Sequence, residues 1–125
     1  MTVSFRIPYP ATKAGKSEWS KLYGLNAYWR GKHWSKRKSD VAFWHQLTAR
    51  EMDRQGVRKT PLRNPVILTF YHNDRLDCSN HAAIEKMIED ALHGRVIVND
   101  DRRWVRGKES YFHDEDYILV VAREV

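Results

Sequence analysis

The run Val66-Ile-Leu-Thr-Phe-Tyr-His72 constrains this chain more than any other stretch. Its β-branched and aromatic residues suit a buried strand, and no glycine or proline interrupts it. Downstream, between Asn80 and Leu92, the residues Ile84, Met87, Ile88, Ala91 and Leu92 fall on one helical stripe, and Gly94 stands where a helix would be capped. Val3 to Ile7 alternates apolar and polar residues before meeting Pro8 and Pro10, as a short strand stopped by prolines does. Ser39-Asp40 supplies a helix start, Val41, Trp44, Leu47 and Met52 recur near helical spacing, and Gly56 supplies the stop. Val96-Ile-Val98 is apolar, Arg103 to Val105 reads as a short strand and Tyr117 to Val121 as the last one. The order predicts an α+β fold, a small mixed β-sheet with two main helices packed on it.

With 125 residues, 42% hydrophobic and 30% charged, the chain is expected to form a single domain spanning 1–125. No apolar run approaches the roughly 20 residues that span a bilayer. The N-terminus lacks the basic start, apolar stretch and cleavage site of a signal peptide, so a cytoplasmic location and no membrane partner are expected. The single cysteine, Cys78, excludes an intramolecular disulfide and has no neighbouring base to make it a nucleophile. No glycine-rich phosphate loop or other organic-cofactor motif is present.

A formal net charge of +6 favours polyanionic partners, and its distribution sharpens that expectation. The stretch from Arg30 to Lys38 mixes cations with Trp34 and a glycine, whereas acids gather after Asp74. Residues 11–38, carrying Trp19, Tyr23, Asn26, Tyr28, Trp29 and Trp34, show no sustained period and are expected to form a basic and aromatic substrate loop. Within it, Arg30, Lys32, His33, Lys36, Arg37 and Lys38 are the expected DNA-binding side chains. The six histidines lack the helical spacing of zinc hydrolases, and His81 and His93 are expected to be solvated.

The acids form a pattern: Asp77-Cys-Ser-Asn80 after the strand, Lys86 and Asp90 one turn apart on the helix, and Asp100-Asp101 beyond it. Hydrolysis of a phosphodiester needs an ion that activates water and offsets charge on the phosphate, and magnesium prefers carboxylate oxygens. Taken one at a time, a Lys and Asp four residues apart is usually a solvated pair and Asp-Asp usually a turn.

Lys86-Met-Ile-Glu-Asp90-Ala-Leu92 followed by Asp100-Asp101 resembles the signature of the RusA-type Holliday junction resolvases, in which Asp-x-Asp-Asn leads into a helix bearing Lys and Asp-Ala-Leu and then an Asp-Asp pair. Ile7-Pro-Tyr-Pro10 and Asn26-Ala-Tyr-Trp29 resemble the family's opening segments more loosely. The resemblance implies a RusA-like fold, a homodimer, Mg2+ or Mn2+ as cofactor, and resolution of four-way DNA junctions by paired symmetric nicks. It also implies catalytic roles for Asp77, Lys86, Asp90 and Asp101, with Asp77 and Asp101 as metal ligands. Ser79 stands where the family has its second aspartate, and three extra residues separate Asn80 from Lys86. Asp100 is the first choice to replace the missing ligand, and Glu85, Asp74 and Asn80 are the others. Two alternatives stay open: a non-catalytic junction or DNA-binding protein, and a nuclease for flaps or other branched nucleic acid.

Overall fold

The computed structural model describes residues 1–25, 27 and 34–125, with Trp34 described in its backbone only. It is a four-stranded mixed sheet with helices, the α+β architecture the sequence predicts. In chain order the elements are β1 (Thr2–Pro8), α1 (Lys13–Tyr23), α2 (Trp34–Arg54), β2 (Val66–His72), a 3-10 turn (Cys78–His81), α3 (Ala82–Leu92), β3 (Val105–Phe112) and β4 (Tyr117–Glu124). The strand order is β1-β4-β2-β3, with β4 antiparallel to both β1 and β2, and β3 parallel to β2. The parallel pair requires a crossover, and the 3-10 turn with α3 provides it.

β2 is interior to the sheet, which explains its unbroken apolar composition. Its alternate residues Val66, Leu68, Phe70 and His72 are all buried, as are Phe5 and Ile7 on β1 and Ile118, Val120 and Ala122 on β4. Apart from His72, these residues form one hydrophobic core together with Trp44 and Met52 of α2 and Ile84, Met87, Ile88 and Leu92 of α3.

The segment predicted to be a loop over 11–38 contains a helix. Thr12 caps α1 by accepting the Gly15 N–H at 2.9 Å, and the helix buries Trp19 and Tyr23. Trp19 packs edge-on against Tyr9, Tyr23 and Trp44 at centroid distances of 5.1, 5.9 and 5.8 Å, so these aromatics are core and not substrate contacts. The period was hidden because α1 buries only part of a single face and is otherwise lysine- and serine-rich. α2 also starts earlier than the Ser39-Asp40 cap predicted. Asp40 sits on the helix's buried stripe with Trp44, Thr48 and Glu51, at 3% exposure, inside the helix and not at its start. The short strand predicted at Arg103 to Val105 instead begins at Val105 and runs to Phe112. As an edge strand it has a largely exposed, polar sequence that carries little apolar signal.

Gly56 ends α2 at φ +68°, and none of the described residues lies within 4 Å of where a Cβ would project. A side chain there meets no neighbour, so the cost of Gly56→Ala is the left-handed backbone alone, about 1–2 kcal/mol. Chemical denaturation should register that loss, with an unchanged denaturant slope.

Candidate functional site

α3 displays two groups of polar residues on different sides. On its exposed side, Lys86 gathers acids from one turn along the helix and from the loop beyond it. Its Nζ lies 2.9 Å from Asp90 Oδ1, 3.0 Å from Asp100 Oδ2 and 3.8 Å from Glu89 Oε2. The Asn99 side chain helps to set Asp100 by accepting its backbone N–H at 2.8 Å. Asp90's hydrogen bond is the main influence holding the Lys86 ammonium charged well above its ordinary range. Burial opposes it, and the Asp100 hydrogen bond adds to it. The Lys86 hydrogen bond, followed by that of Asp90, keeps the Asp100 carboxyl below its usual value. Burial raises Glu89 despite the cations Lys108 and Lys86 nearby. Side-chain exposures of 57% for Lys86, 34% for Asp90 and 28% for Asp100 leave the group open to solvent.

The structure thus brings together Lys86, Asp90 and Asp100. Asp101 turns instead to Arg103, whose backbone N–H and guanidinium lie 3.0 and 3.3 Å from its oxygens. Asp77 occupies the cap position of the 3-10 turn without a side-chain capping bond, and its carbonyl accepts the Asn80 N–H at 2.9 Å. Lys36, Arg37 and Lys38 lie exposed in the first turns of α2. Asn26, Tyr28, Trp29, Arg30, Lys32 and His33 fall outside the described residues.

On the buried side of α3 lies a second group that no local motif announces. His72 ends β2 and His81 ends the 3-10 turn, both fully buried. Their rings stack with centroids 3.6 Å apart and planes 12° from parallel. Glu85 Oε2 lies 2.9 Å from His72 Nε2 and accepts the Ser110 hydroxyl at 2.5 Å. Asp74 faces His81 Nε2 at 2.8 and 3.0 Å, and accepts the Tyr9 hydroxyl at 2.9 Å and the Leu76 N–H at 2.9 Å. His81 Nδ1 faces the Cys78 carbonyl at 3.1 Å. Among the described residues, His72, Asp74 and His81 are the one set of three whose potential ligand atoms converge, all within 4.8 Å of one another. His81 was expected in solvent. It is buried because the 3-10 turn folds it inward against His72. The signal that could have found the pair was register: His72 has the same parity as Val66, Leu68 and Phe70, and so points into the core.

Burial is the main cause depressing His72 below its ordinary value of 6.5. The hydrogen bond to Glu85 opposes it, and the neighbouring His81 adds to the depression. Burial raises Asp74, but hydrogen bonds from His81, Tyr9 and Leu76 outweigh it and leave the carboxyl below 3.8. Below about pH 6.5 the unfolded chain takes up a proton that folded His72 refuses, so stability falls as pH drops through that value. Asp74 adds a second loss further into acid, as pH falls through its depressed folded value. Denaturation in chelator across pH 7 to 4 should show the first decline, and His72→Gln should flatten it.

Compared with known protein families and with curated proteins, the chain matches none.

Proposed function

We propose that the chain is a magnesium-dependent endonuclease that resolves four-way DNA junctions in the cytoplasm as a homodimer. The observation that carries this reading is the convergence of Lys86 with Asp90 and with Asp100, fourteen positions away in sequence. These are the lysine, the helix acid and the first of the paired acids that the RusA resemblance singles out. Their donor set fits the implied ion: the carboxylates are oxygen ligands, partly exposed, of the kind magnesium takes while retaining water. Asp90 and Asp100 would hold it. Bound there, the ion supplies activated water and offsets charge on the phosphate. Lys86 presents an ammonium that stays charged throughout the working pH range and can steady a phosphate oxygen. The exposed cations at the start of α2 add phosphate contacts. A four-way junction has near two-fold symmetry, and a two-fold dimer would place one site on each of two paired strands.

A second reading, binding without cutting, draws support from the same cluster: Lys86 already neutralises the acids that an ion would need. One assay separates the two. A synthetic junction incubated with the protein in magnesium should acquire paired symmetric nicks while linear duplex stays intact. Tight junction binding without nicks, in magnesium or manganese, would transfer the case to the binding protein, and equal cutting of flaps would broaden the substrate class. Junction affinity should fall steeply with salt, and a Lys36→Ala, Lys38→Ala double variant should flatten the log–log slope by about 1–2.

A further inference from the structure

We propose that His72, Asp74 and His81 form a buried site for one divalent transition-metal ion of the zinc and cobalt class. This site is separate from the acids around Lys86. Two imidazoles and one carboxylate make a borderline donor set, which favours such ions over magnesium. Ligand atoms at zinc-bond distances from one ion lie roughly 3.3 Å apart, so a set already within 4.8 Å closes with a contraction of about 1.5 Å at most.

The surroundings are those of a metal site and not merely of three polar side chains. Each potential ligand is oriented by an outer partner: His81 through Nδ1 and the Cys78 carbonyl, His72 through Nε2 and Glu85, and Asp74 through Tyr9 and the Leu76 N–H. For His72 the carboxylate on Nε2 leaves Nδ1 as the lone-pair donor, the arrangement that metal-binding histidines share, whereas His81 Nε2 faces Asp74 and must release its proton for an ion to bind. The independent observation is His72 Nδ1. It is fully buried and has no hydrogen-bond partner among the described residues, in a residue with no exposed surface. A buried nitrogen with nothing to bind is costly, and an ion would satisfy it.

The parallel rings direct their lone pairs side by side and not toward one point, so loading must turn one ring out of the stack. Since Asp74 and both histidines are shielded from solvent, the ion would be structural. It would tie the end of β2 to the 3-10 turn and hence to the start of α3.

The test is titration of the chelator-stripped, full-length protein with Co2+, followed by competition with Zn2+ and with excess Mg2+. One Co2+ per chain is expected, with visible absorption characteristic of nitrogen and oxygen donors. Zn2+ should displace it and Mg2+ should not. His81→Gln should weaken binding by at least tenfold, whereas Asp100→Asn should bind as the parent does, which keeps this site distinct from the proposed nuclease centre. Should His81→Gln fail to fold, paramagnetic shifts in the unaltered protein decide: large shifts confined to the imidazole protons of His72 and His81 support the site. Shifts spread over the other histidines, binding below one equivalent, displacement by Mg2+, or a folded His81→Gln that binds as tightly as the parent would each overturn it.

Discussion

Asp100→Asn is expected to reduce junction cleavage in magnesium by about 10²–10³-fold while leaving the fold intact. Asp100 is the residue that brings the loop after α3 onto the Lys86 ammonium, at 3.0 Å, and its carboxylate is one of two that an ion could use there. An asparagine keeps the shape, removes the charge and weakens both functions at once. Stability should change little, because Lys86 is 57% exposed and ion pairs so open to water contribute about 0–1 kcal/mol. Lys86→Ala should cost cleavage a similar factor with junction affinity nearly unchanged, since one phosphate contact among several is lost. Cleavage rates measured beside melting curves separate the effects. Cleavage within twofold of the parent in both variants would mean that the cluster is only a surface ion-pair network.

What the sequence made legible follows from how strongly each element's pattern was forced by burial. β2 is interior and α3 lies over the core, so the strand's apolar run and the helix's stripe were unambiguous. The edge strand β3 has one lateral neighbour and much exposed surface, so its residues Val105-Arg-Gly-Lys-Glu-Ser-Tyr-Phe112 are not held to an apolar alternation, and only Val105 falls within the stretch that reads as a strand. The helix α1 was lost among lysines and serines, although Thr12 three residues before Gly15 marked its start. Asp40 misled in the opposite direction. An acid next to a serine reads as a cap, but here it is buried on the core-facing side of α2.

The candidate site divides in the same way. Lys86 and Asp90 were a matter of helical spacing, and the Asp-Asp pair lay close beyond the helix, so the convergence on Lys86 was foreseeable from local geometry. The pairing of Asp101 with Arg103 and the position of Asp77 at the head of the 3-10 turn depend on turn conformations that no period encodes. The histidine group depends on more still. His72 is delivered by strand register, His81 by a 3-10 turn and Glu85 by α3, and Ser110 comes from β3, whose extent was itself underestimated. Two positions named as substitute ligands, Asp74 and Glu85, belong to this buried group and not to the acids around Lys86.

Glu85→Ala should destabilise the metal-free protein by about 3 kcal/mol, or roughly 10 °C in Tm for a domain of this size. Glu85 is 5% exposed, and its carboxylate serves both His72 Nε2 at 2.9 Å and the Ser110 hydroxyl at 2.5 Å. Truncation leaves those two donors without an acceptor, each costing about 1–3 kcal/mol, and opens a small void. Release of a carboxylate from its own desolvation offsets part of the sum. Among the described residues His72 would then have neither ring nitrogen paired, since Nδ1 has no partner there to begin with. Glu85→Gln should cost about half as much, because the amide oxygen still accepts from one of the two donors. The exposed Asp53, paired with Arg95 at 2.7 Å, provides the contrast: Asp53→Ala should leave the melting temperature essentially where it was. If Glu85→Ala melts within a degree or two of the parent in chelator, the His72–Glu85 contact does not hold the 3-10 turn and α3 against β2, and the preorganised outer shell assigned to the buried site goes with it.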